Sequence, residues 1–259
     1  MQGKKIGQII WYLGSALLVM WAAGLPAALL TEALHLEHSV IGTLVTAAIT
    51  IPVVWQMYGR DKERYEQAGE LWWKQRADAR GADYARTAVC GVSACLFLNL
   101  LMLLARVSER DTSYREMAGA LNREPYLLQL LVLGVLAPVA EELVYRGMIY
   151  RRMRESLSFG QAAVFVSLLF GAGHGYLSQC MYAFLLGIFL AYVYEKFRTV
   201  KAPVLLHILM NLAVLLLNRT GGFAWICQNG LRAMGFAAAF ALLAAYTFGK
   251  IRKIRTVLR

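Results

Sequence analysis

Charged side chains are scarce in this sequence. Asp, Glu, Lys and Arg make up 17% of its 259 residues, against about 25% in soluble domains. The chain has only five prolines, and its four cysteines show neither a CxxC pair nor the Cys/His spacing of a zinc site. These shortages exclude collagen and a disulfide-rich secreted module, and too few charges remain to cover an ordinary cytosolic enzyme. We interpret the cysteines as small buried apolar residues.

Hydrophobic residues dominate instead, at 59% of the chain with a mean hydropathy of +0.50, which excludes a disordered chain and indicates an integral membrane protein. We expect an all-α, polytopic transmembrane bundle that forms one membrane domain over residues 1–259. About eight hydrophobic segments are long enough to count as candidate spans, at roughly 7–30, 39–58, 85–105, 125–150, 161–175, 180–195, 203–217 and 231–249.

The basic residues predict the orientation of these segments. Alternate connections hold 21 of the 27 Lys and Arg residues, and such connections normally face the cytoplasm. With eight spans, both termini are then cytoplasmic. The net charge of +11 is thereby explained as a topology signal, so we expect the lipid bilayer and no nucleic acid as a partner.

Two adjacent carboxylates, Glu141 and Glu142, lie within the fourth hydrophobic segment. A charge inside a span costs at least about 2.5–3.5 kcal/mol, so such residues are functional candidates. Glu142 has an arginine four residues later, Arg146, with which it can pair on one helix face. Glu141 points elsewhere, and a carboxylate without a partner in a low-dielectric site can exchange protons near neutral pH. The alternative is that both glutamates lie at a solvated helix end.

Two histidines occur in or beside later apolar segments. His174 ends the fifth segment among small residues that permit close approach of a neighbouring backbone or a substrate. His207 and Asn211 are four residues apart in the seventh segment and project from one helix face. Each histidine alone could also be an ordinary packing residue.

The depth of these residues can be compared along the predicted helices. Glu141 and His174 lie about 20 Å from the bend that joins their segments, so they can be level across an antiparallel pair. His207 is only a few residues into its span and is expected to be shallower. It reaches the same depth only if the connection 195–202 dips into the bundle or the span starts elsewhere.

Two loop features are weaker candidates. His35 and His38 lie in a short external loop with acidic neighbours, where we expect a solvated loop rather than a surface metal site. Leu71, Trp72 and Trp73 lie among polar residues in the longest cytoplasmic connection. They suggest an amphipathic segment at the headgroup level, with a solvated loop as the alternative.

Three motifs follow one another on the apolar segments: Glu141-Glu142-Leu-Val-Tyr-Arg146, Phe170-Gly-Ala-Gly-His174 and His207-Ile-Leu-Met-Asn211. Because it has these three motifs in this order, the sequence resembles the type II CAAX prenyl endopeptidase family. This family is also called the abortive-infection or bacteriocin-processing membrane protease family. The motifs span a protease core at about residues 125–217. Earlier residues match the family only in forming membrane spans.

This resemblance implies an intramembrane endopeptidase whose site opens to the cytosol, in the plasma (inner) membrane of a bacterium. Its eukaryotic members remove a C-terminal tripeptide after a prenylated cysteine, and bacterial members serve in peptide maturation or bacteriocin immunity. The implied substrate is a membrane-associated peptide or protein that could be lipidated.

The resemblance also assigns roles to the motif residues. Glu141 activates the attacking water with help from His174, and His207 and Asn211 stabilise the oxyanion. Glu142 and Arg146 hold the helix, with Phe170 as a further supporting residue.

The residues leave the metal question open. A glutamate can activate water without a cofactor, and we favour this interpretation. Glu141, His174 and His207 could also bind zinc or another divalent metal with an open water position, although the chain contains no HExxH motif.

Two other classes of protein share these features. A catalytically silent immunity or scaffold protein would keep the fold, but it has no chemical need for Glu141 and the two histidines. A proton-coupled transporter would also place acids and histidines in the membrane. Such transporters often show an internal repeat, and none is evident here.

Overall fold

The computed structural model describes residues 2–34, 40–67 and 75–258. Most of this chain is α-helical, which confirms the all-α class, and two three-residue strands are added to it. His35, His38, Leu71, Trp72 and Trp73 lie outside the described residues. The elements in chain order are α1 (Gln2–Ala33), α2 (Val40–Gln67), β1 (Gln75–Ala77), α3 (Gly81–Leu104), α4 (Val107–Arg110), α5 (Thr112–Leu121), α6 (Tyr126–Met153), α7 (Phe159–Ala172), α8 (Leu177–Phe197), α9 (Lys201–Arg219), α10 (Gly222–Cys227), α11 (Gly230–Ile251) and β2 (Thr256–Leu258).

Seven of the described helices are long and apolar enough to cross a membrane: α1, α2, α3, α6, α8, α9 and α11. The fifth predicted segment, 161–175, forms α7, which has 14 residues and is about 21 Å long, against about 30 Å for the hydrocarbon core. The estimate of about eight spans therefore becomes seven full-length helices and one short apolar helix. Together they form an integral membrane protein.

The connections that are rich in basic residues meet at one end of the bundle. Arg151 Nη2 at the end of α6 donates to Asp61 Oδ2 near the end of α2 over 2.7 Å. Arg154 Nη2 donates to Glu195 Oε1 near the end of α8 over 3.0 Å. These contacts place the predicted cytoplasmic connections on a common side, which we call the basic end.

The two short strands join the same end. β1 and β2 pair in antiparallel fashion, with Arg76 opposite Val257, so the segment after α11 lies beside the connection between α2 and α3. At the opposite end, Asp111 Oδ2 accepts a hydrogen bond from the Ser178 Oγ over 2.8 Å. This contact joins the start of α5 to the start of α8 and agrees with the predicted alternation of sides.

Helix α6 is irregular on both sides of the paired glutamates. Val132–Leu136 and Leu143–Tyr150 are wound as π-helix, and the α-helical turn between them, Ala137–Glu142, carries the glutamates. Pro138 has no N–H and its ring crowds the carbonyl four residues earlier, which explains the wide first turn. Such wide turns often occur at functional sites.

Helices α7 and α8 pack closely through glycine. A Cβ on Gly171 would lie 2.7 Å from the Cys180 carbonyl oxygen, and one on Gly187 would lie 3.0 Å from Ser167 Oγ. Only glycine permits this approach of the two backbones. It sets the position of Phe170, which faces α6 from the neighbouring turn of α7.

Candidate active site

The site is built around a buried ion pair on α6. Arg146 Nη1 donates to Glu142 Oε1 over 2.6 Å, and neither side chain is exposed. The i, i+4 spacing places the two groups one turn apart on one face, so the predicted pairing is confirmed. A buried charge is tolerated only with a partner of this kind.

Arg146 also connects α6 to α7 and α8. Its Nη2 donates to the Gly187 carbonyl oxygen over 3.1 Å, and its guanidinium carbon lies 4.6 Å from the centroid of the Phe170 ring. A guanidinium above an aromatic face gains cation–π attraction, most of all where water is excluded. Arg146 therefore fixes the positions of Glu142 and Phe170 together.

His207 on α9 contacts the same carboxylate. Its Nδ1 lies 2.9 Å from Glu142 Oε1, and a carboxylate accepts, so Nδ1 carries the hydrogen and Nε2 points away from the pair. The expectation that His207 lies shallower than the glutamates is thus wrong. The connection before α9 dips into the bundle: Val200 is buried and belongs to the same core cluster as Leu143.

Glu141 differs from its neighbour in being partly accessible. Its side chain is 27% exposed, and its Oε2 lies 3.8 Å from His207 Nε2, on the side opposite Glu142. On its own helix Glu141 has no basic partner at i+4, as expected, and the histidine that it faces comes from α9. Of the two carboxylates, only Glu141 is placed to meet a water molecule and a substrate.

His174 follows the end of α7 and is held by that helix. Its Nδ1 lies 2.7 Å from the Phe170 carbonyl oxygen, which fixes the tautomer with hydrogen on Nδ1 and a lone pair on Nε2. The Phe170 ring lies edge-on to both histidines, with its centroid 4.8 Å from that of His174 and 5.9 Å from that of His207. Among the described contacts, no hydrogen bond joins His174 to Glu141.

Asn211 anchors α9 to the wide turn of α6. Its Nδ2 donates to the Leu133 carbonyl oxygen over 2.9 Å. In this turn the Ala137 N–H donates to Val132, and Pro138 has no N–H to offer Leu133. The Leu133 carbonyl is therefore left for a side chain, and Asn211 supplies the donor while keeping a second amide hydrogen.

In the described part of the chain, the predicted metal ligands are not grouped into a metal site. Within residues 2–34, 40–67 and 75–258, no group of three or more His, Cys, Asp and Glu side chains is arranged to hold a metal ion. Glu141 Oε2 and His207 Nε2 lie 3.8 Å apart, and His174 packs edge-on against Phe170. In this arrangement the described residues do not form a three-ligand zinc site.

Two features of the site were not predicted from the sequence. One is the bond from Glu142 to His207, which gives Glu142 a second task besides holding its own helix. The other is Tyr145, whose buried ring packs edge-on to Phe170 at 5.1 Å. A Cβ on Gly173 would lie 2.8 Å from Tyr145 Oη. The i, i+4 spacing from Glu141 was the available signal for Tyr145.

Comparison with known proteins identifies a family model that matches the segment holding this site. Residues 123–213 match the model of a family described as "Rce1-like: Type II CAAX prenyl endopeptidase Rce1-like". The match contains all three motifs. The predicted resemblance is confirmed over this segment. Its bounds lie close to the predicted core of 125–217, and the matched segment takes in α6, α7 and α8 with the first two thirds of α9.

One curated relative matches about a third of the chain. Over 91 residues the sequence is 26% identical to a protein of Bacillus subtilis (strain 168) named "Putative membrane peptidase YdiL". The match takes in 35% of this chain and 37% of that protein, so the chain matches little more than a third of its relative's length. No solved structure matches the chain significantly.

Proposed function

We propose that this protein is an intramembrane endopeptidase that hydrolyses a peptide bond with a water molecule activated by Glu141. One observation carries the proposal: a partly exposed carboxylate faces the Nε2 atom of a histidine whose other nitrogen is bonded to a buried ion pair. A binding or packing role requires no such separation between an accessible and an inaccessible carboxylate.

In the first step, Glu141 accepts a proton from water as the water oxygen attacks the carbonyl carbon of the substrate. The new C–O bond forms, and the π electron pair moves onto the carbonyl oxygen. His174 assists through Nε2, which keeps its lone pair because Nδ1 is engaged with Phe170. Such positioned acid–base groups contribute about 10²–10⁴-fold to a rate.

The oxyanion is stabilised by His207 and Asn211. The Nδ1–H of His207 already donates to Glu142, so a proton on Nε2 is what lets His207 donate to the oxyanion. Asn211 uses one amide hydrogen on Leu133 and offers the other. Fixed donors of this kind act most strongly where water is excluded.

In the second step, the tetrahedral intermediate collapses. The oxyanion electron pair re-forms the carbonyl and the C–N bond breaks. The proton held by Glu141 passes to the leaving nitrogen, so Glu141 returns to its charged form. Water is consumed, and one new carboxyl and one new amine are produced.

The substrate class in this proposal is a membrane-associated peptide or protein segment, with a lipid anchor as one way to reach the site. We place the protein in a bacterial plasma membrane with the site open to the cytosol. Support comes from the basic end, where the connections rich in Lys and Arg converge. A reporter fused after Arg259 should read as cytoplasmic, and one inserted near Thr112 or Gly221 as external.

The test is hydrolysis by the purified chain reconstituted in lipid vesicles, with a library of lipidated and unlipidated peptides in H₂¹⁸O. We expect products whose new carboxyl group carries one ¹⁸O atom, and no product from Glu141→Gln. A chelator arm addresses the cofactor: retained activity after metal removal supports water activation by glutamate alone, and activity restored only by a divalent metal contradicts it. If neither the wild-type protein nor Glu141→Gln cleaves any peptide, the result argues for a silent scaffold.

A further inference from the structure

A polar cavity lies at the basic end, apart from the candidate active site. It has a volume of about 450 Å³ and opens between the start of α3, the end of α11 and the segment that leads into β2. Its walls carry four basic and two acidic side chains, namely Arg86, Lys250, Lys253, Arg255, Asp78 and Asp83. The proposed hydrolysis uses none of them.

The basic side chains of this cavity outnumber the acidic ones. Asp83 Oδ2 accepts the Arg80 backbone N–H over 3.0 Å, and its Oδ1 accepts from Arg86 over 2.8 Å. The first bond caps the start of α3, and the second pairs Asp83 with Arg86. Lys250, Lys253 and Arg255 share the cavity with Asp78 as the remaining acid, so the cavity is positive overall and suits an anion.

The cavity lies at the ends of two candidate membrane spans. α3 begins at Gly81 and α11 ends at Ile251, and the two helices pack along each other. Further along α11 from this end, Tyr246 is 65% exposed, and one turn beyond it Leu242 is 72% exposed. Tyrosine at this position is typical of the membrane interface, and Lys250 lies 5.2 Å from the Tyr246 ring centroid.

We propose that this cavity binds the phosphate headgroup of an anionic phospholipid. Lys250, Lys253 and Arg255 contact the phosphate, and the acyl chains lie along Leu242 and Tyr246. The shared chemistry is that of any phosphate monoester or diester. A lipid is favoured over a soluble phosphate because the positive cavity continues into an exposed apolar face.

The test uses the full chain in detergent after delipidation, titrated with phosphatidylglycerol or with phosphatidylcholine and followed by native mass spectrometry. Lys250→Gln/Arg255→Gln removes two charges from the cavity. Arg60→Gln/Lys201→Gln is the matched control, because it removes one Arg and one Lys that are exposed elsewhere. A parallel arm adds glycerol phosphate as competitor.

We expect one phosphatidylglycerol to bind more tightly than phosphatidylcholine. The cavity variant should weaken it about tenfold or more, and the control should change it less than about threefold. Equal binding of the two lipids, or equal losses in both variants, overturns the site. Displacement by glycerol phosphate at the lipid's own concentration assigns the cavity to a soluble phosphate and overturns the lipid assignment.

Discussion

Helix α6 carries two buried ion clusters only five residues apart, and they differ in what they leave open. In the first, Arg146 pairs with Glu142, which also bonds His207. In the second, Arg151 and Arg152 both pair with Asp61 of α2. All of these side chains are nearly or fully buried, so burial of charge alone does not distinguish them.

The difference lies in the groups at the edge of each cluster. Each oxygen of Asp61 accepts a hydrogen bond from an arginine, and Glu155, whose side chain is 24% exposed, pairs with Arg152. The partly exposed Glu141, by contrast, faces a histidine. In a closed cluster every carboxylate pairs with an arginine, and such a cluster holds helices together. An accessible acid that faces a histidine can instead do proton chemistry.

The largest change that we expect is a loss of activity, and it should occur in only one of the two clusters. Glu141→Gln should abolish hydrolysis, a loss of at least about 10²–10⁴-fold, while the melting temperature stays unchanged. Glu155→Gln is the matched control in the closed cluster and should retain full turnover. Activity and thermal-shift assays on both variants check this, and equal losses of activity would remove the distinction between the clusters.

Arg146→Ala should produce the next largest effect, on stability. It leaves the buried Glu142 carboxylate with His207 as its remaining described partner, and removing one partner of a buried ion pair costs about 3–5 kcal/mol. Arg152→Ala should cost less, since Asp61 keeps Arg151. Denaturation in detergent measures both, and turnover is then compared per folded molecule. Of these two variants, only Arg146→Ala should lose turnover. If Arg146→Ala keeps normal turnover, Arg146 serves only to hold the helix.

Asn211→Ala tests whether Asn211 donates a hydrogen bond to the oxyanion. Loss of one donor should lower kcat by about 10²–10³-fold, or roughly 2.7–4 kcal/mol, with little change in substrate affinity. Loss of the bond to Leu133 alone is worth only about 0.6 kcal/mol. Steady-state kinetics separates the two roles, and a near-normal kcat would leave Asn211 as a helix anchor.

The smallest effect concerns the end opposite the basic connections. Hydrogen bonds from the Ser178 backbone N–H, the Tyr114 backbone N–H and the Ser178 hydroxyl lower the pKa of Asp111. Its contribution to stability is therefore present above the ordinary pKa of about 3.9 and is lost as the pH falls below that value. Asp111→Asn should flatten the fall in melting temperature between about pH 5 and pH 3. An unchanged pH profile contradicts this.

Much of the helical plan follows from the sequence, because long apolar runs and the distribution of Lys and Arg are strong local signals. The pairing of Glu142 with Arg146 also follows from i, i+4 spacing. The depth of His207 did not, since it depends on how far the connection before α9 enters the bundle. Val200 is buried there by contacts from other helices, and sequence spacing along one helix carries no such information.

The position of Asn211 illustrates the same limit. Its motif predicts one helix face but does not reveal the partner. That partner exists because Pro138 follows Leu133 at the distance of a π-helical bond, so a carbonyl is left without its donor. A proline inside a helix leaves an earlier carbonyl without its backbone donor. This rule could have indicated from the sequence where a side-chain donor is needed. The link between Glu142 and His207 needs three-dimensional packing and has no comparable signal.

If Glu141 activates the attacking water, its loss should change which peptides the membrane contains. The most direct measurement compares, by mass spectrometry, the membrane peptides of host cells that hold equal amounts of the wild-type protein or Glu141→Gln. We expect peptides with new carboxyl termini in wild-type membranes alone, and uncleaved precursors that accumulate with the variant. Identical peptide profiles from the two strains would contradict it.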